Sequence, residues 1–143
     1  MKPVEQRLMQ APGGDCVAAC MASILELPLD DVPNLYGGKG FERSWNEWLR
    51  PIGLQIKRLD PVHQYMIVGY AIAVGWSPRF PGSTHAVVWH GENQDTENGW
   101  KNTGHIVWDP SPARDMGLGP LYEFWVFQIC DPAKVIHLPE DLF

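Results

Sequence analysis

QAPGGDCVAACMASILEL, residues Gln10–Leu27, changes character at its sixth position. Pro12, Gly13 and Gly14 break regular structure, and Asp15 is a residue type that caps helices. From Cys16 to Leu27 the residues are mostly good helix formers. Val17, Cys20, Met21, Ile24 and Leu27 recur at helical spacing, and polar positions between them are few. The pattern predicts a buried helix that starts at Cys16 and is stopped by Pro28.

Outward from this helix, the first half stays helical. Asp30 to Tyr36 reads as irregular or as one short turn, and Gly37, Gly38 and Gly40 make a loop. Ser44–Leu49 reads as a second helix, with Trp45, Trp48 and Leu49 as its apolar side, closed by Pro51 and Gly53. The second half changes period. Strands are expected at Leu54–Leu59, Gly69–Trp76, His85–Trp89, His105–Asp109 and Tyr122–Ile129. The polar run Glu92–Thr103 reads as a long connection. No repeat and no separating linker is visible. The expected fold is one α+β domain over residues 1–143, with helices packed on an antiparallel sheet.

Composition narrows the function. The formal net charge is −6 with His neutral, and no Lys/Arg cluster forms the basic patch that grips phosphate backbones. Nucleic acid is not expected as a partner. The longest apolar-rich stretch, Met66–Trp76, is too short to cross a bilayer, and the first ten residues lack the apolar core of a signal peptide. A soluble, cytoplasmic protein is expected. Three cysteines, two of them on one helix, do not make a disulfide framework.

Cys16 falls in the first turn of the predicted helix, where unpaired N–H groups favour thiolate over thiol. An isolated cysteine is more often a small buried hydrophobe, and Cys20 and Cys130 fit that description. A thiol nucleophile needs a histidine in reach and an acceptor to orient it. Of five histidines, His85 begins a strand that continues in purely apolar residues. Asp109 ends the next strand and is followed by Pro110. If the strands His85–Trp89 and His105–Asp109 lie antiparallel side by side, the start of one meets the end of the other. Gln10, with a Gly-rich turn between it and Cys16, is a candidate donor to a developing oxyanion.

Gln10–Leu27, His85–Val88 (HAVV) and Ile106–Pro110 (IVWDP) in this order resemble the papain-like cysteine peptidases, and among them the bacterial double-glycine leader peptidase branch. Pro28–Pro33 (PLDDVP), Asp109–Pro112 (DPSP) and Gly117–Leu118 also resemble a group of small bacterial and phage proteins. The resemblance implies a papain-like fold with Cys16 as nucleophile, His85 as general base and acid, Asp109 as its orienting group and Gln10 as oxyanion donor. It implies a peptide or protein substrate and no cofactor. The stretch between His85 and Asp109 is longer than the leader peptidases have. No transporter accompanies the domain, so a leader peptide is not the expected substrate.

Two other readings are available. A catalytically silent papain-like module that only binds a partner protein would use the same cleft. A zinc site at Cys16 and Cys20 would need a second close pair of ligands, which the scattered histidines do not supply. Seven tryptophans are expected mainly in the core, with Trp76, just before the loop to His85, as a candidate cleft wall.

Overall fold

The small apolar residues after Asp15 fold as α1 (Cys16–Leu25), in which every residue from Ala18 to Leu25 is buried. The computed structural model describes residues 1–9, 14–35, 40–113 and 117–143. The helix ends two residues before the expected Leu27. Glu26 takes a left-handed conformation (φ 56°), and its N–H donates to the carbonyl of Ala22. Pro28 is the cause, because the residue before a proline is pushed out of the helical region and the cap must fall earlier. The second helix, α2 (Phe41–Leu49), starts three residues before the expected Ser44, and Gly40 at φ 84° makes the abrupt start possible. Trp45, Asn46 and Leu49 face inward. Phe41 stacks on Trp125 with ring centroids 4.9 Å apart.

Five strands follow: β1 (Leu54–Leu59), β2 (Gly69–Trp76), β3 (Thr84–Thr96), β4 (Gly99–Trp108) and β5 (Leu121–Ile129). They form one antiparallel sheet in the order β1-β5-β2-β3-β4. The fold class is α+β. β2 is central, and its run Ala71–Gly75 is buried without alternation because both faces are covered. On one face Ile72, Val74, Ala86, Val88, Trp125 and Phe127 meet the helices. On the other Ala71, Ala73, Val87, Trp89 and Phe124 gather around Ile67. No helix among the described residues is long and apolar enough to cross a membrane.

The run Glu92–Thr103 is not the loose connection expected. β3 continues to Thr96, turns, and returns as β4, with pairs from Glu92↔Thr103 to Thr96↔Gly99. This ribbon projects beyond the end of β2, whose last partner on that side is Gly91. Both of its faces are wet, so no alternation marks it as a strand. Its one signal was Asn98-Gly99 at the turn. At its base the indole of Trp89 lies over Gly104, where an added Cβ would fall 2.5 Å from the ring.

Asn46 ties α2 to the outer edge of the sheet. Its carbonyl oxygen accepts from the Ile56 N–H at 2.6 Å, and its amide donates to the Ile56 carbonyl at 3.2 Å. One side chain thus satisfies both outward backbone groups at the centre of edge strand β1. Asn46→Ala leaves both groups buried without partners and is expected to lower stability by about 2–3 kcal/mol. Gln55→Ala removes only an exposed contact to Gln128 and is expected to change it by less than about 0.5 kcal/mol. Urea titration of the two variants checks the difference.

Candidate active site

α1 packs across β3 and β2, and its first residue, Cys16, lies close enough to His85 at the start of β3 to influence its charge. Asp15 stands at the N-cap position but does not cap the helix. Its carboxylate turns the other way and accepts from the N–H groups of Arg7 (3.0 and 3.2 Å) and Leu8 (2.9 Å). The N–H groups of the first turn are thus not capped by the Asp15 carboxylate, which leaves the positive end of the helix dipole beside Cys16.

His85 is the second residue of β3, and Asp109 follows the last residue of β4. The strands pair antiparallel, with a register shift between Val88 and Trp89. The start of one and the end of the other therefore meet. His85 Nε2 lies 2.8 Å from Asp109 Oδ1, and the two side chains are 14% and 11% exposed. The same carboxylate oxygen accepts the Ser111 N–H at 3.0 Å, which fixes its orientation. Pro110, between them, is fully buried, and its carbonyl accepts the Gln6 N–H at 2.9 Å.

Burial alone would lower the pKa of His85. Hydrogen bonds to Asp109 and to Cys16, with the charges behind them, outweigh it and push the pKa up from 6.5 to about 9. With Nε2 committed to Asp109, Nδ1 is the ring nitrogen left for the thiol. The His85–Asp109 pair thus stands with Cys16 near enough to favour the charged ring. Such a group can hold a proton on the ring at neutral pH while the sulfur faces partly open space.

The remaining candidates separate from this group. Cys20, one turn further along α1, is fully buried, and burial pushes its thiol well above the ordinary range. Cys130, expected to be structural, is exposed just beyond β5, and its backbone N–H donates to the Gly53 carbonyl at 2.8 Å. His63, His105 and His137 are exposed, and His90 meets Tyr70 edge-on at 4.7 Å. Gln10 lies outside the described residues. The chain on either side of it is fastened at Arg7, Leu8 and Asp15. No three His, Cys, Asp or Glu side chains among the described residues converge as a metal site.

Two supporting residues were not anticipated. Ser111 holds Asp109 through its backbone, and its hydroxyl accepts from Arg79 Nη1 at 3.3 Å. Gln6 anchors the turn at Pro110. The Asp-Pro-Ser sequence carried a signal for the first, since Asp side chains accept from the N–H two residues on. Nothing in the sequence marks Gln6.

The His85 ring is expected to titrate near pH 9, and in Asp109→Asn the midpoint should fall by a unit or more; NMR of the ring carbons checks both. The linkage has a definite sign. A base whose folded pKa lies above its unfolded value stabilises fully below about pH 6.5 and loses that contribution as pH rises toward 9. Wild type should therefore lose stability relative to His85→Gln over that window. No family model, curated protein or solved structure matches the chain.

Proposed function

We propose that this protein is a cysteine-dependent amide-bond hydrolase of the papain-like type, acting on a peptide or protein. The observation that carries the reading is the pairing of His85 with Asp109 beside Cys16, at the start of α1. A helix bearing the cysteine on an antiparallel sheet bearing His and Asp, in that chain order, also suits the papain-like resemblance.

In this reading Cys16 Sγ attacks the carbonyl carbon of the scissile amide. The developing oxyanion is met by the Cys16 N–H and by the Gln10 amide. His85, protonated on Nδ1, gives its proton to the leaving amine, and a thioester remains on Cys16. The ring then takes a proton from water as that water attacks the thioester, and returns it to the departing sulfur. Asp109 keeps Nε2 occupied, so that Nδ1 points to the reaction in both halves. Cys20 takes no part, because burial holds it as a neutral thiol.

Alkylation by iodoacetamide tests this without a known substrate. An ordinary thiol of pKa about 8.5 is well under one per cent thiolate at pH 6. Wild-type Cys16 is expected to react roughly 10- to 100-fold faster at that pH than Cys16 in His85→Ala, after allowing for the weaker nucleophilicity of a stabilised thiolate. The fast labelling at pH 6 should vanish in Cys16→Ala and persist in Cys20→Ala, while exposed Cys130 still reacts slowly in both. A Cys16 rate that tracks an ordinary thiol would leave a binding module as the better description.

A further inference from the structure

We propose that Trp76 and Tyr122 form the subsite that receives an apolar side chain of the peptide acted on at Cys16, a proposal that rests on Cys16 being the nucleophile. Trp76 is the last residue of β2 and pairs with Thr84, the residue before His85. β2 ends where β3 begins, so the indole stands at the same end of the sheet as the His85–Asp109 pair. Ile72 and Val74, which share its parity along β2, pack beneath the helices. Trp76 therefore leaves the sheet on the side where α1 lies.

Tyr122 comes from the neighbouring strand. The pairing of β2 with β5 skips it, because Val74 faces Glu123 and Gly75 faces Leu121. The extra residue swings the phenol ring edge-on to the indole, with centroids 5.5 Å apart. Trp76 is 43% exposed and Tyr122 47%. Single exposed aromatics are ordinary on protein surfaces, but this pair is anchored. The Trp76 N–H donates to Pro120 at 3.1 Å, and the Trp76 carbonyl accepts from Gly119 at 2.9 Å. A Cβ at residue 119 would fall 2.8 Å from that carbonyl, so glycine is required for the approach. The loop beyond is closed by Ser77 donating to Ser83 at 2.8 Å. The one carboxylate on β5, the partner of Val74, is already engaged. Glu123 accepts from the Trp125 indole at 3.1 Å and from Arg58. What remains among the described residues is an anchored aromatic shelf beside the Arg58–Glu123 ion pair, at the end of the sheet where His85 and Asp109 lie. Such a surface gives up little conformational entropy when an apolar side chain settles on it.

Three probes read the shelf on the full chain: iodoacetamide, its N-benzyl derivative and its N-carboxymethyl derivative. In each, the Cys16 thiolate forms a bond to the CH₂ carbon as the carbon–iodine bond breaks and iodide leaves. Mass spectrometry follows the rate at Cys16. The benzyl probe is expected to react about tenfold faster than iodoacetamide, and the carboxymethyl probe no faster. The benzyl advantage, taken as the ratio to the iodoacetamide rate of the same variant, should disappear in Trp76→Ala and Tyr122→Ala and survive in Trp76→Phe. An advantage absent from wild type, or intact in Trp76→Ala, overturns the shelf. The parent probe separates the two readings. An iodoacetamide profile unaffected by His85→Ala overturns the catalytic reading, whereas the ratio of benzyl to parent rates still reports on the shelf.

Discussion

A helix with no polar face has to be covered all round, and α1 is such a helix. One side lies against β3 and β2. The chain's first residues are fastened along another: the Lys2 N–H donates to the Ser23 carbonyl at 2.9 Å, and the Val4 N–H to the Ser23 hydroxyl at 2.9 Å. The same segment is also gripped by the sheet. The Trp108 indole donates to the Val4 carbonyl at 3.0 Å, and Pro110 accepts from Gln6. Residues 2–8 therefore bridge the helix that bears Cys16 and the strand end that bears Asp109. The need to bury α1 is thus also what holds two of the site's parts in register.

The charge balance at the site follows from where carboxylates point. Asp15 is the nearest acid to Cys16 in sequence and would ordinarily cap the helix. Its engagement with Arg7 and Leu8 leaves the first turn beside the sulfur without that carboxylate. Asp109 points the other way, into the ring of His85, and its second contact, with the Ser111 N–H, stops it from swinging free. Burial opposes charge at His85, and only because two partners favour the imidazolium does the proton stay.

The sequence made some of this legible for physical reasons. α1, β1 and β2 were readable because burial imposes a period or an unbroken apolar run. His85 and Asp109 were readable as a pair because an antiparallel hairpin brings its open ends together. The ribbon was not, because strands outside a core have no apolar face to announce them. The early stops and starts at Glu26 and Phe41 came from proline and glycine geometry, which shifts a boundary without changing a pattern. The tryptophans divided, with Trp45, Trp89 and Trp125 buried and Trp76 and Trp100 exposed. Contacts made through backbone groups, such as those of Gln6 and Ser111, leave almost no trace in residue type.

The lock of Trp89 over Gly104 separates two regimes within one hairpin. Beyond it, the pairs from Glu92↔Thr103 outward are held by their own hydrogen bonds and a few polar side-chain bonds, from Asn102 to Asn93 and to the Ile67 carbonyl and from Thr96 to the Gly99 carbonyl. Such a two-stranded arm is marginal in water and opens often. Fraying that starts at the tip will stop at the indole. Amide protons on the arm should therefore exchange with solvent long before those of Ala86–Val88, and the His85–Asp109 pair at the opposite end of β3 is insulated from that breathing.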